Sequence, residues 1–246
     1  MDGVRGVWLD RARSSAGVIV YLHGGTYITG PEKEQWQWFS RLCRSTAMAG
    51  LMVDYDLAPD AAYPVAHDQT IRVLDHLAGD SRWFLAGDSA GGGLALGVAY
   101  TLRDTGRGRA GGLLLVSPWL DITMSNPEAR ARHRIDAMLS LRGLSRGAVP
   151  YAGESDPRDP HISPLFGDPG GLPPMQVHVG TRELFLWDNR AWARKCREAG
   201  VACELIEVEG GFHDFAIAVR MVPEARAALA HQVRFLTHAS SHPHGD

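Results

Sequence analysis

Trp83-Phe84-Leu85-Ala86-Gly87-Asp88-Ser89-Ala90-Gly91-Gly92 is an apolar run that breaks into Gly-x-Ser-x-Gly and continues into small residues suited to a helix start. A short, uninterrupted apolar run reads as a strand buried on both faces, as in a parallel sheet. The serine then falls at a sharp strand-to-helix turn. Glycines two before and two after it let the backbone pass closely enough to leave the Ser89 hydroxyl exposed. Gly87, Asp88 and Gly91 support the turn, and Ser89 is its reactive group.

Outward from this turn, short apolar runs alternate with longer amphipathic ones. Strands are expected near 4–9, 18–22, 50–54, 83–87, 112–117, 175–180 and 203–208, and helices near 32–47, 65–78, 89–104, 189–199 and 223–238. That alternation predicts an α/β fold with a mostly parallel central sheet and helices on both faces. One domain over residues 1–246 is expected, and no internal repeat is visible. Residues 122–153 break the rhythm with a basic patch, Arg130-Ala131-Arg132-His133-Arg134, and a second apolar stretch, and read as an insertion over the sheet. The arginines read as a solvated face.

A second glycine-rich turn follows the strand pattern Val18-Ile19-Val20-Tyr21-Leu22 and reads His23-Gly24-Gly25-Thr26. Acyl transfer needs backbone N–H donors aimed where negative charge develops on the substrate oxygen, and small residues let a ligand approach that closely. The candidate donors are the N–H groups of Gly25, Thr26 and Ala90, with His23 and Gly24 shaping the loop. A serine hydroxyl also needs a base, and that base needs an orienting acid. His213 follows the strand pattern Cys203–Val208 in Gly210-Gly211-Phe212-His213-Asp214. After the strand at 175–180, Glu183 and Asp188 are both candidates for the acid. Glu183 is favoured, since it lies directly beyond the strand; Asp188 then reads as the N-cap of a helix from Asn189 to Ala199.

These motifs together resemble the hormone-sensitive lipase family, the bacterial esterase branch of the α/β-hydrolase fold. The family's HGGG loop is HGGT here, its GDSAGG turn stands intact at 87–92, and its YRLAPE-type segment appears as Tyr55-Asp56-Leu57-Ala58-Pro59-Asp60. Ser117-Pro118-Trp119-Leu120-Asp121, Ser163-Pro164-Leu165 and Gly171-Leu172-Pro173-Pro174 resemble later landmarks, so the likeness runs from about residue 16 to 236. It implies a serine carboxylesterase acting on small to medium esters or lactones through an acyl-enzyme on Ser89, with Glu183 and His213 completing the triad. Tyr27 and Phe212, adjacent to motif residues, are candidates for the substrate pocket. An acyltransferase or lyase using the same triad, or a non-catalytic small-molecule receptor, are the alternatives, because fold does not fix reaction.

Three departures from the family pattern carry expectations. Thr26 replaces a glycine, which keeps the backbone donor but demands a strained backbone or crowds the pocket. Asp56 replaces the usual arginine and removes a cation. Only 22 residues precede His23, where family members carry segments that supply cap helices. A reduced cap is therefore expected, with 122–153 as its remainder and a more open cleft, or one completed by another subunit.

Composition sets outer bounds. The 246 residues are 45% hydrophobic with a net charge of −3, which offers no broad attraction for nucleic acid. Three cysteines, Cys43, Cys196 and Cys203, are too few for a disulfide framework and suggest a reducing, cytoplasmic setting. No apolar run approaches the roughly 18 to 20 residues that span a bilayer, and the first residues are too polar for a secretory signal. No cofactor and no metal are expected; His242 and His244 lack partners at ligand spacing. The expected partner is a small-molecule ester, and the family resemblance adds a homodimer paired through the strand near 203–208.

Overall fold

A computed structural model describes residues 1, 3–77, 82–131 and 133–241, so Arg132, His242 and His244 lie outside the described residues. Seven strands form one sheet in the order β1-β3-β2-β4-β5-β6-β7, comprising β1 (Arg5–Leu9), β2 (Val18–Leu22), β3 (Ala49–Asp54), β4 (Trp83–Asp88), β5 (Leu113–Val116), β6 (Met175–Gly180) and β7 (Cys203–Val208). β1 runs antiparallel to β3 and every other pairing is parallel. All seven strands lie where the apolar runs predict them, shifted by a residue or so at their ends.

Burial on both faces explains why the central strands read as unbroken apolar runs. Val18, Val20 and Leu22 of β2 join one core with Trp83 and Leu85 of β4 and Leu113 and Leu115 of β5. Ile19 and Tyr21, Phe84 and Ala86, and Leu114 and Val116 point into the other. Side chains alternate across a strand, so apolar residues are needed at every position when helices cover both sides.

The helices are α1 (Lys33–Thr46), α2 (Val65–Leu77), α3 (Ser89–Thr105), α4 (Pro127–Ala131), α5 (Leu141–Ala152), α6 (Leu186–Glu198) and α7 (Pro223–Ser241). α1 contributes Trp38, Phe39 and Leu42, and α7 contributes Ala225, Ala228 and Leu236, to one core. Residues of α2, α3 and α6 pack into the other. Trp38 Nε1 donates to Gln232 Oε1 at 2.8 Å, which pairs the indole N–H with the amide oxygen where α1 meets α7.

Two helices, α4 and α5, occupy the stretch 122–153 that breaks the strand–helix rhythm. α5 is capped by Ser140, whose hydroxyl accepts the Gly143 N–H at 3.0 Å, a standard way of satisfying a first-turn donor. Its buried residues Leu144, Ala148 and Tyr151 recur at the spacing of one helix face. The basic residues Arg130, His133 and Arg134 are exposed, as a solvated face requires. Asp56 forms a reciprocal pair with Gln69, its N–H donating to Gln69 Oε1 at 2.8 Å and its carboxylate accepting from Gln69 Nε2 at 2.7 Å, and its Oδ1 lies 3.6 Å from Arg5 Nη2.

One helix start differs from expectation. α6 begins at Leu186, three residues before the expected start, so Asp188 sits inside the first turn and is not its N-cap. The side chain is fully buried and accepts from Asn126 Nδ2 at 2.8 Å. Phe185 takes the cap position instead.

Candidate active site

Ser89 opens α3 directly from the end of β4, with φ of 50°. Left-handed backbone at a non-glycine residue is costly, and here the packing around it requires that conformation. A Cβ at Gly87 would overlap the Gly91 carbonyl, and one at Gly91 would overlap the carbonyl of Leu22 at the end of β2. The two glycines thus allow a tight turn and close packing on β2, leaving Ser89 Oγ at the bottom of a cleft.

His213 follows β7 and its glycine turn. Its Nε2 lies 3.1 Å from Ser89 Oγ, and its Nδ1 lies 3.7 Å from Glu183 Oε1. The first distance is within hydrogen-bond reach and the second is just beyond it; catalytic hydrogen bonds in free enzymes are often long and tighten when substrate is bound. Glu183 is completely buried, and its Oε2 accepts from Ser117 Oγ at 2.8 Å and from the Gly180 N–H at 3.0 Å. Phe185 stacks edge-on against the imidazole at 5.1 Å between ring centres. Of the two candidate acids, Glu183 faces His213, whereas Asp188 is held by Asn126.

The His23-Gly24-Gly25-Thr26 loop is tied to the serine turn through Asp88, which is fully buried. Asp88 Oδ1 accepts the Gly24 N–H at 2.8 Å and the Tyr21 hydroxyl at 2.5 Å, while Oδ2 accepts Gln35 Nε2 at 2.7 Å. Gly24 therefore spends its donor on the scaffold. The N–H groups of Gly25 and Thr26 have no acceptor among the described residues, and Ala90 lies in the first turn of α3, where donors have no intrahelical partner. Gly25, Thr26, Ser89 and His213 line one cleft of about 460 Å³.

Thr26 and Tyr27 both adopt left-handed backbone, with φ of 52° and 64°. The strain expected from the glycine-to-threonine change is therefore present, and α5 braces it. Gly147 of α5 sits against the Thr26 carbonyl so tightly that a Cβ there would overlap it, and the Tyr151 ring lies flat on Tyr27 at 3.5 Å between centres. Tyr27 is consequently buried behind the loop and does not line the cleft, contrary to its expected place in the substrate pocket. Phe212 does line it. Leu139, Ile217 and the exposed side chains of Met138 and Met221 extend an apolar wall toward the mouth.

Several site residues escape the motif reading. Ser117, itself at φ of 42°, bridges Glu183 and the His213 loop, because its Oγ also accepts the Asp214 N–H at 3.1 Å. Asp136 anchors the 122–153 segment to the acid loop by accepting the Leu184 N–H at 2.8 Å. Asp214 places Oδ2 at 3.1 Å from His213 Nε2. Asp214 stands next to His213 and Ser117 heads the segment 117–121, but neither position announces these contacts in the sequence, and Asp136 is brought in by the fold alone.

Electrostatically, the site centres on one imidazole between carboxylates. Burial pulls the His213 pKa down, but Asp214 and Glu183 outweigh it and hold it well above the ordinary histidine range. Burial pushes Asp214 up to about 7, with His213 pulling against it and Asp88 and Glu183 adding to the rise. His23, stacked on Tyr55 at 4.4 Å, is lowered by burial, which keeps it neutral and structural.

Comparisons with known proteins bear on the fold and the family. The sequence profile of the alpha/beta hydrolase fold family matches residues 19–217. An esterase of Acinetobacter venetianus is 33% identical over 242 residues, covering 96% of this chain and 80% of that protein. An acetyl-hydrolase of Streptomyces hygroscopicus is 31% identical, covering 95% of this chain and 79% of that one. Among solved structures, an esterase from the bacterial hormone-sensitive lipase family superposes with a TM-score of 0.90 at 30% identity, covering 97% of this chain and 82% of that chain. From the profile match over most of its length and its likeness to these relatives, the chain belongs to the alpha/beta hydrolase fold family, in its bacterial hormone-sensitive lipase branch.

Proposed function

We propose that this protein is a serine carboxylesterase in which Ser89 is the nucleophile, His213 the general base and Glu183 the orienting acid. The observation that carries the reading is the 3.1 Å approach of His213 Nε2 to Ser89 Oγ at the floor of an apolar-walled cleft. The relatives named as esterase and acetyl-hydrolase support the reaction class.

In the first step Ser89 Oγ attacks the ester carbonyl carbon while its proton passes to His213 Nε2. The C=O bond opens to an oxyanion held by the N–H groups of Gly25, Thr26 and Ala90. Collapse expels the alkoxide, which takes the proton from Nε2 and leaves as the alcohol, with the acyl group on Ser89. Water then repeats the sequence in reverse roles: Nε2 takes its proton, hydroxide adds to the acyl carbon, and Ser89 Oγ leaves and recovers that proton as the carboxylic acid departs. Glu183 stabilises the imidazolium at Nδ1 in both steps. The apolar wall of Phe212, Leu139 and Ile217 suits short and medium acyl or alcohol groups, with Met138 and Met221 as flexible contacts at the mouth.

A p-nitrophenyl ester series from acetate to long acyl chains, run on wild type and Ser89→Ala, tests the reading. Short esters are hydrolysed and Ser89→Ala loses several orders of magnitude of turnover, on the scale of about 10⁶ for a removed nucleophile. Equal activity in the two proteins refutes it. The proposal extends to assembly and setting: β7 is a sheet edge through which two copies pair, and three free thiols suit a cytoplasmic protein. Among the described residues no helix is long and apolar enough to cross a membrane.

A further inference from the structure

His213 Nε2 has two neighbours at the same distance, Ser89 Oγ and Asp214 Oδ2, each at 3.1 Å. Asp214 is held there by its backbone. It sits in the left-handed region at φ 59° and ψ 23°, and its N–H donates to Ser117 Oγ, the hydroxyl that also binds Glu183. Its side chain is 14% exposed and faces the cleft, and Oδ1 has no hydrogen-bond partner among the described residues. Resting on the triad assigned above, we infer that Asp214 is a second carboxylate partner of the general base, which shares the Nε2 proton and sets the pH at which that nitrogen becomes free to activate Ser89.

An ionised carboxylate only accepts, so Oδ2 at 3.1 Å from Nε2 favours a proton held within the pair, as a close ion pair with the imidazolium. On the imidazolium the Nε2 lone pair carries that proton, and Ser89 Oγ cannot pass its own there. Release of the shared proton to solvent frees the lone pair. The midpoint of that release belongs to the His213–Asp214 pair rather than to either residue. The surrounding groups favour retention. Glu183 faces Nδ1 from beyond β6, Asp88 lies behind the pair at the end of β4, and Tyr21 of β2 donates to Asp88. Glu32 and Glu34 stand across the cleft at the start of α1, and no Lys or Arg is among the described residues that line it.

Asp214→Asn is the informative variant, because asparagine keeps the shape and tolerates left-handed backbone but cannot share the proton. In kcat/KM against pH on a neutral ester, its acid-limb midpoint lies about 1–3 units below that of wild type, the range expected for loss of an adjacent opposite charge. The rate of Ser89 labelling by a fluorophosphonate, which reads the base without turnover, shifts by the same amount. Asp214→Gly, compatible with the same backbone, gives the same shift if the Asn variant does not fold. Wild type alone also decides: its midpoint lies above the unperturbed histidine value of about 6.5, and a midpoint at or below that value overturns the inference, as does an unmoved midpoint in a folded variant. Full activity in Ser89→Ala would instead refute the underlying triad, so the two failures are distinguishable.

Discussion

Ser117 does at the scale of one residue what no motif announces: a single buried hydroxyl donates to Glu183 Oε2 and accepts the Asp214 N–H. Ser117→Ala leaves Glu183 with the Gly180 N–H as its remaining hydrogen bond. A hydrogen bond to a charged group is worth about 1.5–3 kcal/mol, so kcat falls by roughly tenfold or more with KM little changed, measured on p-nitrophenyl acetate. The two candidate acids separate in the same assay. Glu183→Gln loses about 10³–10⁴ in kcat, as when a triad acid is replaced by its amide, whereas Asp188→Asn retains turnover. Asp188 affects stability instead. Burial raises its pKa from 3.8 to about 7, with Asn126 pulling it down and Asp121 and Glu128 adding to the rise. Between about pH 4 and 7 the folded chain keeps a proton that the unfolded chain has shed, so this carboxyl's contribution to stability is present at low pH and is lost as pH rises through 7. The Asn variant does not titrate. Its Tm relative to wild type is therefore more favourable at pH 8 than at pH 5, measured by thermal unfolding.

At the scale of elements, α5 and the HGGT loop act as one unit. The loop carries two consecutive left-handed residues, Thr26 and Tyr27, and such strain persists only where packing imposes it. Gly147 against the Thr26 carbonyl and Tyr151 on Tyr27 supply that packing. Gly147→Ala forces α5 and the loop apart and moves the Gly25 and Thr26 donors. Misplacement of about 1 Å near the reacting atoms costs on the order of 10² in rate. The expected result is a kcat lowered by that order with the far-ultraviolet circular dichroism of wild type retained; unchanged kcat in the folded variant would show that α5 does not position the loop. The periodicity of Leu144, Ala148 and Tyr151 was present in the sequence, but a helix face does not reveal what it packs on. Asp188 has the chemistry of an N-cap, but the chain turns into α6 at Leu186 and carries it into the first turn of the helix.

The whole molecule presents two sheet edges, β1 and β7, and an unpaired edge invites another strand. Pairing through β7 predicts a solution mass twice the 26.8 kDa of one chain by light scattering, reduced toward one chain by Leu205→Pro, since proline removes a ladder donor and is excluded from paired strands.

Local chemistry and periodicity encode seven strands as apolar runs, the helices α1, α2, α3, α6 and α7, Ser89 in its glycine turn, His213 and the HGGT loop. Each depends on a backbone requirement or a burial pattern carried within about ten consecutive residues. The approach of Glu183 to His213, the burial of Tyr27 behind the loop, and the contacts of Ser117, Asp88 and Asp214 follow only from the packed fold. Those outcomes depend on distances between residues far apart in the chain, such as Ser89 and His213, 124 positions apart, or Ser117 and Glu183, 66 apart, and such distances are set by strand order and helix packing.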